Sequence, residues 1–160
     1  AFGTARPPKE ATAADTAPYS HERGHGWRRS EGLTLVRGNP TGLVNNCLRG
    51  GSDEEGVFLV DLVPGHWLAT VRIAPGRESV GPMEIRVNGH RVAESLMVAA
   101  EGVHTLTAPV VHRGAGPLEL AFRGARGWAV SSLALQPLLF QSEDFVFDRG
   151  WWHLEGVFTP

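Results

Sequence analysis

The chain has 160 residues, 20% of them charged, with a formal net charge of -2 and no run of lysine or arginine. Nucleic acids and anionic membranes require a concentrated positive patch, so neither is expected as a partner, and no apolar run is long enough to span a membrane. The 20 glycines and 11 prolines indicate many turns joining short strands in one domain, and the single cysteine excludes an internal disulfide bond.

A dense group of aromatic and basic side chains follows the start of the chain. Residues 2–4 suit a short edge strand and residues 5–18 a covering loop, whereas residues 19–29 hold two aromatic residues, two histidines and three arginines. The segment 19–29 is either a polar ligand surface or a loop held to a sheet by its aromatic side chains. Simple burial of Trp27 in the core is an equally open interpretation.

Two adjacent amides and an acidic loop come next. Asn45 and Asn46 lie at the centre of a short segment that is apolar at both ends, and Cys47 beside them is interpreted as an inert core residue. Residues 50–55 form either a solvated acidic loop or part of a cation site. We expect the solvated loop, because a hard cation needs several converging oxygen ligands.

Residues 56–74 contain two apolar runs separated by Pro64 and Gly65. Pro-Gly suits a turn, because proline presets a φ near −65° and the following glycine accepts a positive φ. The pattern therefore predicts an antiparallel hairpin. By the period of two, the residues expected on its buried face are Phe58, Val60, Leu62, Trp67, Ala69, Val71 and Ile73.

The later strands are predicted from alternation and from turn residues. Residues 83–87 alternate and lead into Asn88 and Gly89, the preferred pair for a two-residue hairpin turn. Pro109 implies that the strand at 103–113 is an edge strand or carries a bulge. Further strands are expected at 118–122 and 128–138.

These elements predict an all-β fold with about eight or nine strands and little helix. The expected architecture is a sandwich of two antiparallel sheets packed face to face, with jelly-roll topology, over residues 1–139. Residues 140–160 form a tail too aromatic for a free linker. The tail either folds back on the sandwich or begins the interface to a second domain, and we expect the interface, with Trp151 and Trp152 in it.

No catalytic motif is visible in the chain. Of the seven histidines only His21 and His25 lie close together, and the glycines beside them disfavour the helix that would place both on one face. His112 is expected to face solvent or lie in a turn. Asp61 stands alone on an apolar strand, so we expect an arginine or a backbone amide to satisfy it. We expect no catalytic residue and no cofactor.

Several side chains suit a saccharide. Sugar rings offer apolar C–H faces that stack on aromatic rings, and hydroxyl groups that need polar partners. The candidate ligand-binding residues are Tyr19, Arg23, His25, Trp27, Asn45 and Asn46.

A family resemblance rests on motifs spread along the chain. They are Phe2-Gly3-Thr4, Tyr19-Ser20-x-Glu22-Arg23-Gly24-x-Gly26-Trp27, Asp61-Leu62 with Pro64-Gly65, Val87-Asn88-Gly89 and Trp128-Ala129-Val130. Over about residues 2–138 the chain resembles the galactose-binding-like or malectin-like β-sandwich modules found beside catalytic domains of bacterial polysaccharide-degrading enzymes. The resemblance implies a jelly roll, a non-catalytic role and an extracytoplasmic or secreted location. Some relatives hold a structural calcium ion, for which no ligands are identified in this sequence.

Three hypotheses follow from the residues and the resemblance. In the first, the chain is a carbohydrate-binding accessory module of a larger secreted lyase, esterase or glycoside hydrolase, and it binds a polysaccharide or oligosaccharide. In the alternative, the sandwich binds no sugar and packs on a neighbouring catalytic domain or subunit that it supports. In the third, the chain is itself an enzyme that acts through Asp61 or His25.

Overall fold

The computed structural model describes residues 15–36 and 46–138, together with the backbone of two later strands. The described part contains strands and no helix. In chain order the strands are β1 (His25–Trp27), β2 (Thr34–Val36), β3 (Cys47–Gly50), β4 (Gly56–Val60), β5 (Gly65–Ile73), β6 (Val80–Val87), β7 (His90–Val98), β8 (His104–His112), β9 (Leu118–Gly124), β10 (Trp128–Val130), β11 (Ser132–Pro137), β12 (Phe145–Asp148) and β13 (Trp151–Leu154).

The strands form two antiparallel layers. One is a five-stranded sheet in the order β1-β4-β9-β6-β7. The other contains β11-β5-β8 and β10-β3-β2, and only Ser131 separates β10 from β11. The hydroxyl of Ser131 donates to the Ala74 carbonyl and accepts from the Ala74 N–H, which ties this junction to the end of β5. The predicted all-β sandwich is confirmed.

Four aromatic side chains from both layers occupy the core. The ring centroid of Trp27 lies 5.2 Å from that of Phe58 and 5.5 Å from that of Trp128, and Phe122 also lies 5.5 Å from Trp128. All four residues are buried. Aromatic rings bury large apolar areas, so this cluster is a principal source of the sandwich's stability.

The predicted hairpin of residues 56–74 is wrong. β4 pairs with β1 and β9 in the five-stranded sheet, whereas β5 pairs with β8 and β11 in the opposite layer. Gly65 has a φ of 159° and begins β5, so it does not take the φ near +80° of a type II turn. Residues 61–64 therefore form a crossover between the two sheets.

The face predictions hold better for β5 than for β4. Ala69, Val71 and Ile73 are buried as the alternation predicted, although Trp67 is half-buried. In β4 both faces are covered, since Val57 and Leu59 are buried as well as Phe58. A strand with both faces covered is a continuous run of apolar residues, because neither face needs polar side chains. Such a run does not indicate which other strands pair with it.

Three local predictions are tested by the later strands. Asn88 and Gly89 both have positive φ and join β6 to β7 as a tight turn, which confirms that hairpin. Pro109 lies in β8, an edge strand, as its missing N–H requires. The single strand predicted for 128–138 is instead two strands, because β10 pairs with β3 and β11 pairs with β5.

Cys47 is fully buried in β3, as its apolar setting predicted. Burial raises the pKa of its thiol from 9.0 to about 11, although Arg49 acts in the opposite direction. The thiol of the unfolded chain thus ionises first as pH rises. Cys47 is expected to add no pH dependence to the free energy of unfolding below pH 9, and the free energy of unfolding is expected to fall between pH 9 and 11. Urea unfolding at several pH values would measure this decline. A Cys47→Ala variant with the same decline would contradict it.

The C-terminal strands pair with each other. In the β12–β13 hairpin Phe145 pairs with Leu154, and Phe147 pairs with Trp152. The boundary at residue 139 and the interface role of Trp151 and Trp152 stay predictions. The predicted edge strand at residues 2–4 and the predicted ligand residue Asn45 lie outside the described residues. Among the described residues no helix is long and apolar enough to cross a membrane.

Candidate functional site

Four loops, each joining two consecutive strands, meet at one end of the sandwich and surround an open cleft of about 1140 Å³. Ser52 comes from the β3–β4 connection, Arg77 from β5–β6, Glu101 from β7–β8 and Arg126 from β9–β10. Thr34 of β2 lies on the cleft wall as well. We call this region the end cleft.

The end cleft is lined by polar side chains and by glycine backbone. Five of its fourteen described lining residues are glycines, so backbone N–H and carbonyl groups are within reach of anything that enters. None of the described lining residues is aromatic. A ligand in this cleft would be held by hydrogen bonds and charge rather than by stacking.

Three guanidinium groups line the end cleft. The Nη1 atom of Arg49 lies 2.8 Å from Oε2 of Glu78, and the Arg49 side chain is only 16% exposed. Arg77 and Arg126 are exposed, and neither forms an ion pair with a described residue. The positive charge of Arg49 is therefore neutralised by Glu78, whereas the charges of Arg77 and Arg126 are available to a ligand.

Backbone hydrogen bonds between connections brace the end cleft. The N–H of Glu101 donates to the Gly76 carbonyl at 2.7 Å, with Glu101 held at a φ of 58°. The N–H of Asp53 donates to the Gly124 carbonyl at 3.1 Å. A positive φ is uncommon for a residue other than glycine and persists where the surroundings enforce it. The cleft wall beside Arg77 is thus preorganised.

A second cavity of about 550 Å³ adjoins the end cleft and shares Gly32 and Gly50 with it. Its rim carries three carboxylates and two arginines. The acidic loop that contributes Glu54 and Glu55 is exposed, and no group of three or more His, Cys, Asp or Glu side chains among the described residues could hold a metal ion. The cation-site alternative gains no support from this part of the chain.

A polar cluster lies where residues 19–21 meet the β4–β5 crossover. The Tyr19 hydroxyl donates to Oδ1 of Asp61 at 2.8 Å, and Nδ1 of His21 lies 2.8 Å from that hydroxyl. Asp61 is thus satisfied by a tyrosine, not by the arginine or backbone amide that we expected. Partial desolvation, followed by the bond to Asp61, raises the pKa of the Tyr19 phenol above its ordinary value.

Tyr19→Phe is expected to lower the free energy of unfolding only slightly, because the hydrogen bond that is lost lies in a solvent-exposed setting. Chemical denaturation of both proteins would measure the difference. His21→Gln is the matched control and should change little, since His21 is largely exposed. A loss for Tyr19→Phe as large as that of a core substitution would show that the cluster is structurally more important than its exposure indicates.

The other predicted ligand residues of this segment are engaged in the fold. Arg23 pairs with Asp15 at 3.1 Å, and Nδ1 of His25 donates to the Arg23 carbonyl at 2.8 Å. The N–H of Tyr19 donates to the Trp27 carbonyl, so the segment is a loop fastened to β1. This was one of the two alternatives that the sequence left open.

The prediction that Trp27 stacks on a ligand is corrected. Its exposed fraction is 0%, and its indole Nε1 donates to the Asp15 carbonyl at 3.0 Å. No face of the ring is available for a sugar, and burial in the core, the other interpretation, is the one found. Asn46 is half-buried and lies just before β3, at the far end of that strand from Gly50 of the end cleft.

One further histidine prediction is wrong. His112 is buried at the end of β8, with its Nε2 atom lacking a hydrogen-bond partner. It was expected to face solvent or lie in a turn. His112 lies within the strand predicted for residues 103–113, and the alternation of β8 places it on the inward side with Val110.

No protein-family model and no curated protein matches the chain. Among solved structures, protein YxiM of Bacillus subtilis is 17% identical, with a TM-score of 0.64, over 86% of this chain and 38% of that protein. A family 35 carbohydrate-binding module from Clostridium thermocellum is 17% identical, with a TM-score of 0.47, over 69% of this chain and 90% of the module. An exo-β-1,3-galactanase from Phanerochaete chrysosporium is 15% identical, with a TM-score of 0.42, over 73% of this chain and 28% of the galactanase chain.

The likeness to YxiM is one of fold. At 17% identity and a TM-score of 0.64 it shows that the two chains share the same β-sandwich. The chain spans 38% of the length of YxiM. Function must be argued from the site itself, because one fold supports many activities.

Proposed function

We propose that the chain is a non-catalytic saccharide-binding module and that the saccharide binds in the end cleft. The observation that carries the proposal is the cleft itself, about 1140 Å³ in volume and lined by glycine backbone, Ser52, Thr34 and arginine side chains. Hydroxyl groups of a sugar are both donors and acceptors, so they pair with such mixed groups. The resemblance of the 19–27 segment to carbohydrate-binding modules supports the same function.

The end cleft is favoured over the segment of residues 19–25 as the binding site. In that segment the Tyr19 hydroxyl, the Arg23 guanidinium and Nδ1 of His25 already bond to other parts of the chain, although Nε2 of His25 has no partner among the described residues. A sugar would have to replace those bonds, which reduces the net gain of binding. In the cleft, Arg77 and Arg126 have no such competing ion pair among the described residues.

The proposal is tested by filling the end cleft. Ser52→Trp places an indole at an exposed loop position on the cleft wall, whereas Thr105→Trp places one on the outer face of β8. Calorimetric titration with oligosaccharides at millimolar concentration should show binding by the unaltered chain and by Thr105→Trp. Binding should be lost in Ser52→Trp. Equal binding by all three proteins would exclude the cleft, and absence of binding by the unaltered chain would exclude the function.

A second candidate function, structural support of a neighbouring domain, is favoured by the outer face of the β11-β5-β8 sheet. Thr105, Thr107, Pro109 and Val111 form an exposed row along β8, and none of them is charged. Ala134 continues this neutral surface on β11. Arg72 of β5 lies on the same face, opposite Thr105. The neutral surface is therefore the part around Thr107, Pro109 and Val111, which suits packing against another protein surface.

The structural candidate predicts association of the isolated chain through this face. Sedimentation velocity over a range of protein concentrations should then show a dimer, and Thr107→Arg should abolish it. A strictly monomeric chain would count against this function. Membership of a longer secreted polysaccharide-degrading enzyme is part of our proposal too, and it rests on the family resemblance.

A further inference from the structure

We infer that the ligand of the end cleft is an anionic saccharide, with a carboxylate or sulfate group held by Arg77 and Arg126. This inference rests on the proposed function and names the class of saccharide. The shared chemistry is a planar or tetrahedral oxyanion on a sugar ring. Both groups accept two parallel hydrogen bonds from the fork of a guanidinium group.

The charge around the cleft supports this assignment. Among its described lining residues, the titratable ones are Arg49, Arg77, Arg126, Glu78 and Glu101. Glu78 is paired with Arg49, so one carboxylate of this described set, that of Glu101, remains to balance Arg77 and Arg126. The lining thus has an excess of positive charge in a chain whose net charge is -2. A local positive site in a negative protein directs an anionic polymer to that site.

The two free arginines lie on connections that other contacts position. Arg77 follows Gly76, whose carbonyl accepts the hydrogen bond from Glu101. Arg126 precedes Gly127, whose carbonyl accepts from the N–H of Gly81 at 3.3 Å. Each guanidinium therefore extends from a braced backbone, which lowers the entropy lost when an oxyanion is bound.

The adjoining smaller cavity indicates the direction of the polymer. Glu31, Glu54 and Glu55 lie on its rim, against Arg28 and Arg29. The Arg28 guanidinium is already paired with Glu119. The rim of the smaller cavity therefore has more unpaired carboxylates than unpaired guanidinium groups among its described residues. These carboxylates repel an anionic chain, which favours its binding in the end cleft.

The test compares anionic and neutral polysaccharides by affinity electrophoresis and calorimetry at low and physiological salt. Polygalacturonate supplies carboxylates, dextran sulfate supplies sulfates, and β-1,4-galactan and dextran are the neutral probes. We expect tighter binding of at least one anionic probe than of its neutral counterpart. The double variant Arg77→Gln/Arg126→Gln should bind the anionic probe about tenfold more weakly, with any neutral binding unchanged.

Arg113→Gln is the matched control, because Arg113 is exposed, lies outside the end cleft and has no ion pair among the described residues. It should bind like the unaltered chain. Equal loss in Arg113→Gln would show non-specific attraction and overturn the inference. Binding of neutral probes alone would overturn it while leaving the proposed function intact, and binding of no probe would overturn both. Preference for carboxylate or for sulfate supports the inference and identifies the group.

Discussion

Trp27→Ala is expected to lower the free energy of unfolding by about 3–5 kcal/mol, the range for removing a buried tryptophan side chain. Trp27 is fully buried between Phe58 and Trp128, and its indole N–H is bonded to the Asp15 carbonyl. The substitution leaves a cavity between the two sheets and removes that bond. Domains of this size have total stabilities of about 5–15 kcal/mol, so the variant loses a large share of its stability.

The loss is measured by thermal and chemical unfolding, with Trp67→Ala as the matched control. Trp67 is half-buried in β5, and its Nε1 donates to the Val63 carbonyl at 3.2 Å. The control should lose clearly less stability than Trp27→Ala. If Trp27→Ala were as stable as the unaltered chain but unable to bind saccharide, Trp27 would be a ligand residue and our placement of the site would be contradicted.

Gly56→Ala is expected to destabilise the sandwich by about 1–3 kcal/mol or more, through overpacking. A Cβ atom at this position would lie 2.0 Å from Cζ2 of Trp128, far inside van der Waals contact. Trp128 is fully buried, and its Nε1 donates to the Glu54 carbonyl, so the ring cannot move aside without losing packing and a hydrogen bond. A Cβ atom added at Gly50 of β3 would lie 2.3 Å from the same ring.

Gly51→Ala provides the control for the cost of adding a methyl group. The nearest atom to its Cβ would be Oε2 of Glu54 at 2.9 Å, the end of an exposed and flexible side chain. We expect a change within about 0.5 kcal/mol for this variant. The melting temperatures of Gly56→Ala and Gly51→Ala should therefore differ by several degrees. Equal melting temperatures would show that Trp128 is free to repack.

Local sequence signals were sufficient wherever a single turn or strand decides the structure. Asn88 and Gly89 accept positive φ, so their hairpin follows from residue chemistry. Pro109 lacks an N–H and therefore lies on an edge strand. The alternation of Ala69, Val71 and Ile73 placed them on the core side of β5. Each of these signals operates within a few neighbouring residues.

Strand pairing could not be read from the same signals. β4 and β5 are adjacent in sequence and separated by a good turn dipeptide, yet they lie in opposite sheets. Their partners are β9 and β8, more than thirty residues further along the chain. Long-range pairing depends on how all the apolar faces are covered at once, and a local pattern carries no such information.

The end cleft could not be read from local sequence signals for the same reason. The concentration of aromatic and basic residues in 19–29 favoured that segment as the ligand site. In the structure these residues fasten a loop to β1, and Trp27 fills part of the core. The end cleft instead combines Arg49, Arg77 and Arg126, which are at least 28 residues apart. Only the correct strand order brings their connections to one end of the sandwich. The glycines beside these arginines were visible in the sequence, but they were interpreted only as turn residues.

The central claim, that the end cleft binds saccharide, is tested most directly by amide chemical-shift mapping with ¹⁵N-labelled protein and an anionic oligosaccharide. The account predicts that the shifted amides cluster at Gly51, Ser52, Arg77, Glu101 and Gly127. Shifts confined to Tyr19, Arg23 and His25 would contradict it and return the site to the segment that the sequence first indicated.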